Sequence, residues 1–136
     1  MSLFDECIEA FNGFVQVVSG EKRELIAKEF ERCFPISEWG RIEWERASAY
    51  STVTTFAEIR SFLNQHKHPY NENIYVIWDE QTLPILQSTL DHVFKVIDDV
   101  TAVSFDTWIF SPSSRYVIEI FHDGEVRVGI GDFDIL

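Results

Sequence analysis

Four histidines and the acids near them are the first residues to consider as metal ligands. His66 and His68 flank Lys67 in a polar stretch, and a metal there would need further ligands such as Asp91 or His92. The sequence contains no HExxH motif, no pair of CxxC motifs and no Asp-rich calcium loop. The pattern therefore predicts ordinary exposed histidines and no metal or other cofactor.

Residues suited to nucleophilic catalysis or phosphate binding are also poorly placed. No serine lies in a GxSxG context. Cys7 and Cys33 fall on the apolar stripes of predicted helices, which favours buried, reduced thiols, with a disulfide as the alternative. Gly129 and Gly131 precede no helix, so they do not form a phosphate loop. The sequence favours a protein that is not an enzyme.

Carboxylates are the most abundant reactive groups, and most of the net charge lies in the second half of the chain. The formal net charge is -12, with -3 in residues 1–68 and -9 in residues 69–136. Such a surface repels phosphates and anionic lipids, so nucleic acid and membranes are disfavoured partners and a basic protein is favoured. The candidate partner-binding residues lie at predicted strand or helix ends: Asp79, Glu80, Asp98, Asp99, Asp106, Asp123 and Glu125.

These residues also have simpler interpretations. Scattered surface acids often serve solubility alone. Two of the acids could instead form a glycosidase-like carboxylate pair, although the sequence does not single out which two. Trp78 and Trp108 lie beside some of the acids, where they could anchor a partner, but both fall in predicted strands and could equally be core.

The length and the N-terminus predict a single cytoplasmic domain over residues 1–136. A chain of this size fits one domain, and its many aromatic residues favour a dense core. The N-terminal residues are acidic and amphipathic, unlike a signal peptide. The longest wholly apolar run is too short to cross a bilayer.

Helical periodicity predicts four helices. Ser2 and Thr55, each followed three residues later by an acid, open capping boxes, and Gly13 could break the first helix. Pro84 suits the first turn of the fourth helix, which we expect to end before Asp98 because acids are unfavourable at a helix C-terminus. The predicted spans are residues 4–18, 21–34, 55–65 and 84–97.

Five strands are predicted around and after these helices. A short alternating stretch covers residues 41–45, and a near-continuous apolar run at 73–79 suits a central strand. Three further strands at 106–111, 115–122 and 125–130 form a meander. The order predicts an α+β (mixed α/β) fold, with helices packed on a largely antiparallel sheet that ends in a three-stranded meander.

Glu119 decides the register of the last hairpin. A two-residue loop at Asp123 and Gly124 would pair Glu119 with Val128 on an otherwise apolar face. A three-residue loop over residues 122–124, with Gly124 in a left-handed conformation, pairs Glu119 with Arg127 instead. We therefore expect the three-residue loop.

Residues 75–130 resemble the C-terminal part of small immunity proteins from bacterial contact-dependent growth inhibition systems. The similarity is one of spacing and residue type. Its cues are Ile77-Trp78, Leu83-Pro84, Asp98-Asp99-Val100, Asp106-Thr107-Trp108 and Ile118-Glu119 before His122 and Gly124.

The resemblance implies an inhibitor that binds a toxin domain delivered by a neighbouring cell. Many such toxins are nucleases with basic clefts, so the resemblance implies a basic toxin C-terminal domain as the partner and occlusion of its active site or an adjacent surface as the mechanism. This agrees with the acidic charge. A regulatory interaction module without a toxin partner and a small carboxylate-dependent hydrolase are the alternatives.

Overall fold

The computed structural model describes residues 2–66 and 73–131. These residues contain five α-helices, one 3-10 helix and seven strands. In chain order they are α1 Leu3–Ala10, β1 Gln16–Val18, α2 Gly20–Cys33, a 3-10 helix Trp44–Arg46, β2 Ala49–Val53, α3 Phe56–Gln65, β3 Asn73–Trp78, β4 Ile85–Thr89, α4 Leu90–Lys95, α5 Ile97–Thr101, β5 Thr107–Ser111, β6 Tyr116–Ile120 and β7 Val126–Ile130.

The strands in the described part of the chain form one antiparallel sheet in the order β1-β4-β3-β5-β6-β7-β2. Side chains from α1, α3, α4 and α5 join the apolar core on one face. The opposite face is covered by α2 and by the 35–47 segment that follows it. The predicted α+β class and the β5-β6-β7 meander are confirmed.

The predicted register of the last hairpin is confirmed. Glu119 is the cross-strand partner of Arg127. Phe121 N donates to Glu125 O at 3.0 Å, and Gly124 N donates to Phe121 O at 2.9 Å. This leaves residues 122–124 as the loop, with Gly124 at φ +94°. The left-handed glycine is what a three-residue loop with a bulge requires.

The first predicted helix is interrupted near Gly13, where a break was expected. The capping box is present, because Asp5 N donates to Ser2 Oγ at 3.1 Å. However, α1 ends at Ala10, and Asn12 and Gly13 turn the chain with φ values of +52° and +92°. Residues 16–18 then form the edge strand β1, so the helical assignment beyond Gly13 was wrong.

The predicted helix over residues 84–97 was wrong in its first half. Residues 85–89 form β4, which pairs with β3, and the helix begins only at Leu90. A short apolar run does not distinguish a strand from a helix, and the unpaired backbone of β3 favours a strand here. Asp98 and Asp99 consequently lie in the first turn of α5, where the helix dipole favours acids.

The predicted strand at residues 41–45 is also absent. Ile42 forms an isolated bridge with Ile36, and a 3-10 helix begins at Trp44. The strand in this region is β2, which lies beside β7 at the sheet edge. The predicted α2 and α3 are confirmed within one or two residues, and the break expected after α3 lies outside the described residues.

Both cysteines are free thiols. Cys7 is buried in the core, whereas Cys33 is only half-buried. Burial, together with the charge of Asp99, raises the pKa of the Cys7 thiol to about 11. Burial, with a contribution from Glu29, raises the pKa of Cys33 to about 12. Both thiols are therefore protonated and poorly nucleophilic at neutral pH.

Gly124→Val should lower the free energy of unfolding by about 1–3 kcal/mol, because a β-branched residue resists the left-handed conformation. A Cβ at this position meets no atom within 4 Å, so the cost is conformational and not steric. Gly124→Asn is the control, because asparagine tolerates this conformation. Urea denaturation of both variants measures the difference, and equal stabilities would contradict the assigned turn.

Candidate partner-binding surface

Several predicted partner-binding acids meet at one end of the sheet. Antiparallel pairing places the end of β3 beside the start of β5, and the end of β6 beside the starts of β5 and β7. The loops at these strand ends therefore converge. They carry a group of residues that we call the acidic end: Asp79, Glu80, Asp106, Asp123 and Glu125.

Asp79 and Asp106 hold three of these loops together. Asp79 Oδ1 accepts hydrogen bonds from Ser104 Oγ at 2.7 Å and from Asp106 N at 3.0 Å. Asp106 Oδ1 accepts from His122 N at 2.8 Å and lies 3.0 Å from His122 Nδ1. Asp106 is only 8% exposed. Its carboxylate therefore shapes the loops more than it presents charge to a partner.

The acids of the β6-β7 turn are also partly engaged. Asp123 Oδ1 accepts from Glu125 N at 2.8 Å, which stabilises the turn. Glu125 Oε1 lies 2.8 Å from Arg41 Nη2 and 3.0 Å from Arg127 Nε. The charge of Glu125 is thus locally compensated, whereas Glu80 and Asp123 remain exposed.

Asp98 and Asp99 lie apart from these loops. Both are exposed on α5, which packs against α1. The charge of Asp99 helps to raise the pKa of Cys7 in α1. The helix is tied to the end of β3, because Trp78 Nε1 donates to Val100 O at 3.0 Å. The structure therefore brings five of the predicted acids together and places this pair on the α1–α5 side of the sheet.

The two tryptophans considered as partner anchors are core residues. Trp78 is 3% exposed and Trp108 is 5% exposed, so the anchor interpretation was wrong for both. The exposed tryptophan is Trp39, at 81%. Its exposure was not predicted from the sequence, although the glycine directly after it is typical of a turn and could have indicated an exposed position.

A buried carboxylate supports this end of the molecule from within. Glu119 has no exposed surface. Its Oε1 accepts hydrogen bonds from Arg41 Nε at 3.1 Å, Arg41 Nη2 at 3.0 Å and Trp44 Nε1 at 3.0 Å. Its Oε2 accepts from Ile42 N at 2.9 Å and from Trp108 Nε1 at 3.0 Å. Five donated hydrogen bonds compensate the cost of burying the charge.

These bonds fasten the 35–47 segment to the sheet. Trp108 belongs to β5 and Glu119 to β6, whereas Arg41, Ile42 and Trp44 all belong to the segment. Arg41 also lies over the ring of Phe121, 4.2 Å from its centroid. We call this arrangement the Glu119 clamp. The sequence predicts the register that pairs Glu119 with Arg127, but it does not indicate which residues bind the Glu119 carboxylate.

A cleft of about 550 Å³ adjoins the acidic end, between α2 and the sheet. Asp79 and Asp106 line it together with Arg23 and Lys28. Arg23 Nε donates to Leu83 O at 3.1 Å, so this guanidinium serves the packing of α2. The cleft is mixed in charge and adds a concave margin to the acidic end.

The residues considered as metal ligands have other contacts where they are described. His92 Nδ1 lies 2.7 Å from Thr89 Oγ1, and Asp91 binds Arg60 at 2.8 Å. His68 lies outside the described residues. Within residues 2–66 and 73–131, no group of three or more His, Cys, Asp or Glu side chains is arranged to hold a metal ion. No helix in these ranges combines the length and apolarity needed to span a membrane.

Comparison with known proteins identifies the family. Residues 1–129 match the family model described as CdiI immunity protein, EcoliA0-like. The match covers nearly the whole chain, and the chain belongs to this family of contact-dependent growth inhibition immunity proteins. Membership implies a cognate toxin protein as the binding partner. A search of curated proteins found no match.

Glu119→Gln should lower the free energy of unfolding by about 3 kcal/mol, because the amide is uncharged and places an NH2 group against buried donors. Glu125→Gln is the matched control, since Glu125 also contacts Arg41 but is 33% exposed. Glu125→Gln should lower the free energy of unfolding by less than about 1 kcal/mol. Denaturant titration of both variants measures the difference, and a Glu119→Gln protein as stable as Glu125→Gln would refute the clamp.

Proposed function

We propose that this protein binds the C-terminal domain of a cognate toxin and neutralises it by covering the toxin's active site or an adjacent surface. The toxin domain is basic and is a nuclease. The acidic end, with Asp98 and Asp99 on α5, provides the contact surface. The observation that carries the proposal is the convergence of acidic loops at one end of a folded sheet in a member of an immunity family.

The negative charge of this surface favours a basic toxin domain as its partner. A nuclease cleft that binds phosphates is rich in Lys and Arg, and an acidic protein can occupy it as a charge mimic of nucleic acid. The net charge of -12 would also accelerate encounter with a basic toxin through long-range attraction. The protein would act in the cytoplasm, where an imported nuclease meets its substrate.

Inhibition without chemistry fits the contacts of the acids. Asp79, Asp106 and Asp123 accept hydrogen bonds from loop groups, and Glu125 contacts two arginines. These contacts favour a structural role over a catalytic carboxylate pair. A regulatory module with another partner is the rival hypothesis. A toxin-encoding reading frame directly upstream of the gene would favour the immunity function over the rival.

The direct test uses the toxin domain encoded by that upstream reading frame. We expect a stable complex and stoichiometric loss of nuclease activity, since occlusion needs one inhibitor per toxin. Stopped-flow mixing should show association slowing as salt rises while dissociation changes less, because charge steers the encounter. Absence of binding would reject the immunity function. A salt-independent association rate would reject only the charge-mimic mechanism.

Changing Asp98 and Asp99 together to Lys should weaken toxin binding and slow association. Both side chains are exposed, so the domain should remain folded. Their removal from the first turn of α5 forfeits a favourable dipole interaction of about 0.3–1 kcal/mol each. Thermal denaturation would check folding, and surface plasmon resonance with the toxin domain would measure binding.

The control is the double change Glu29→Lys and Asp91→Lys, which alters net charge equally but away from the acidic end. Glu29 lies near Arg115, and Asp91 follows the far end of β4. Asp91 loses an ion pair with Arg60, and Glu29 loses an ion pair with Arg32 and a weak hydrogen bond from Cys33 Sγ at 3.7 Å. If the two double variants bind equally well, Asp98 and Asp99 do not belong to the contact surface.

A further inference from the structure

Building on the proposed function, we propose that Trp39 is the aromatic anchor of the toxin interface. It would insert into an apolar recess bordered by Lys or Arg on the cognate toxin domain. The inference adds a residue of a different kind from the acids, and it assigns the tip of the 35–47 segment to the contact surface.

Trp39 differs from the other tryptophans of the chain in its exposure. Trp44, Trp78 and Trp108 are 3%, 3% and 5% exposed, whereas Trp39 is 81% exposed. Trp44, Trp78 and Trp108 each donate an indole hydrogen bond inside the protein. A partner that covers an exposed tryptophan removes a large apolar surface from water, which favours binding. Tryptophan is also enriched among the residues that dominate binding energy.

The backbone around Trp39 is held in a tight turn. Ser37 N donates to Arg41 O at 2.6 Å, and Gly40 N donates to Ser37 O at 3.0 Å. Trp39 N donates to Ser37 Oγ at 3.3 Å, and Gly40 has φ +82°. A preformed turn loses little conformational entropy on binding, so more of the contact energy of the indole is retained.

The Glu119 clamp fixes both the position and the direction of this turn. Arg41 and Ile42 directly follow it, and both donate to the buried carboxylate. Two further contacts join the residues before the turn to those after it: Glu43 N donates to Pro35 O at 2.9 Å, and Ile36 forms a β-bridge with Ile42. The exposure of Trp39 is therefore imposed by a buried polar network and is not the result of a loosely attached loop.

The surroundings of Trp39 indicate the chemistry of the partner. The indole borders an open pocket of about 570 Å³, and Glu38, Glu43 and Glu45 also line this pocket. On the other side of the turn, Gly40 lines the cleft shared by Asp79 and Asp106. The cleft beyond Gly40 is mixed in charge, whereas the pocket that the indole borders is lined by these three carboxylates. A toxin surface that presents Lys or Arg around an apolar recess would complement them, and its cations could also contact the indole face.

The primary test is Trp39→Ala, with affinity for the purified upstream-encoded toxin domain measured by surface plasmon resonance. We expect binding to weaken at least 30-fold, mainly through faster dissociation, with the melting temperature unchanged. Phe14→Ala is the control. Phe14 is another exposed aromatic, at 58%, and borders Thr89 and His92 at the opposite end of the sheet. It should change affinity less than threefold.

A second measurement reports Trp39 directly. Acrylamide should quench the fluorescence of the free protein mainly through Trp39, since the other indoles are buried. Incorporation of 5-fluorotryptophan gives a fluorine resonance for each indole, and the resonance absent from Trp39→Phe identifies Trp39. Adding toxin should shift this resonance more than the others and protect it from solvent.

The outcomes separate this inference from the proposed function. Tight toxin binding by both the wild type and Trp39→Ala would overturn the anchor and leave the immunity function intact. An unchanged Trp39 resonance in the complex would overturn it as well. If the wild type does not bind the toxin domain, the immunity function and the anchor both fall. A 30-fold loss in Trp39→Ala alone would support the anchor.

Discussion

The buried carboxylate of Glu119 is the interaction on which the arrangement of this molecule depends. It lies on the sheet face that α2 and the 35–47 segment cover, and it has no contact with solvent. A buried charge is tolerated only when donors surround it. Here the donors come from β5 and from Arg41, Ile42 and Trp44. The need to satisfy Glu119 therefore dictates the path of a segment that has little regular structure of its own.

The clamp also explains a glycine in the last strand. A Cβ on Gly129 would overlap Trp44 Cζ3 and lie 3.1 Å from Ala49 O. The indole of Trp44 occupies this space while its Nε1 reaches Glu119. Gly129 is thus required by close packing, not by an unusual backbone conformation. A glycine that was rejected as part of a phosphate loop, because no helix follows it, instead makes room for the indole that binds the buried carboxylate.

The candidate partner-binding acids divide between two roles. Asp79, Asp106 and Asp123 accept hydrogen bonds that shape the loops, and Glu125 joins Arg41 at the margin of the clamp. Glu80, Asp98 and Asp99 lie open to solvent. The charge of this surface and the rigidity of its loops consequently arise from the same class of residue. Such a surface is preorganised, which lowers the entropic cost of binding a protein partner.

Sequence alone determined the features that depend on local chemistry. These are the capping box at Ser2, the side-chain N-cap at Thr55, the strand at residues 73–78, the terminal meander and the register that pairs Glu119 with Arg127. Each follows from turn residues or periodicity within a short stretch. The resemblance over residues 75–130 also led to the family that the chain belongs to. Only the tertiary structure decided that residues 85–89 form a strand, that Trp78 and Trp108 are buried, that Trp39 is exposed and that Arg41 binds Glu119. These outcomes depend on partners far away in the chain, because strand pairing and the satisfaction of a buried charge are set by the whole fold and leave no local pattern.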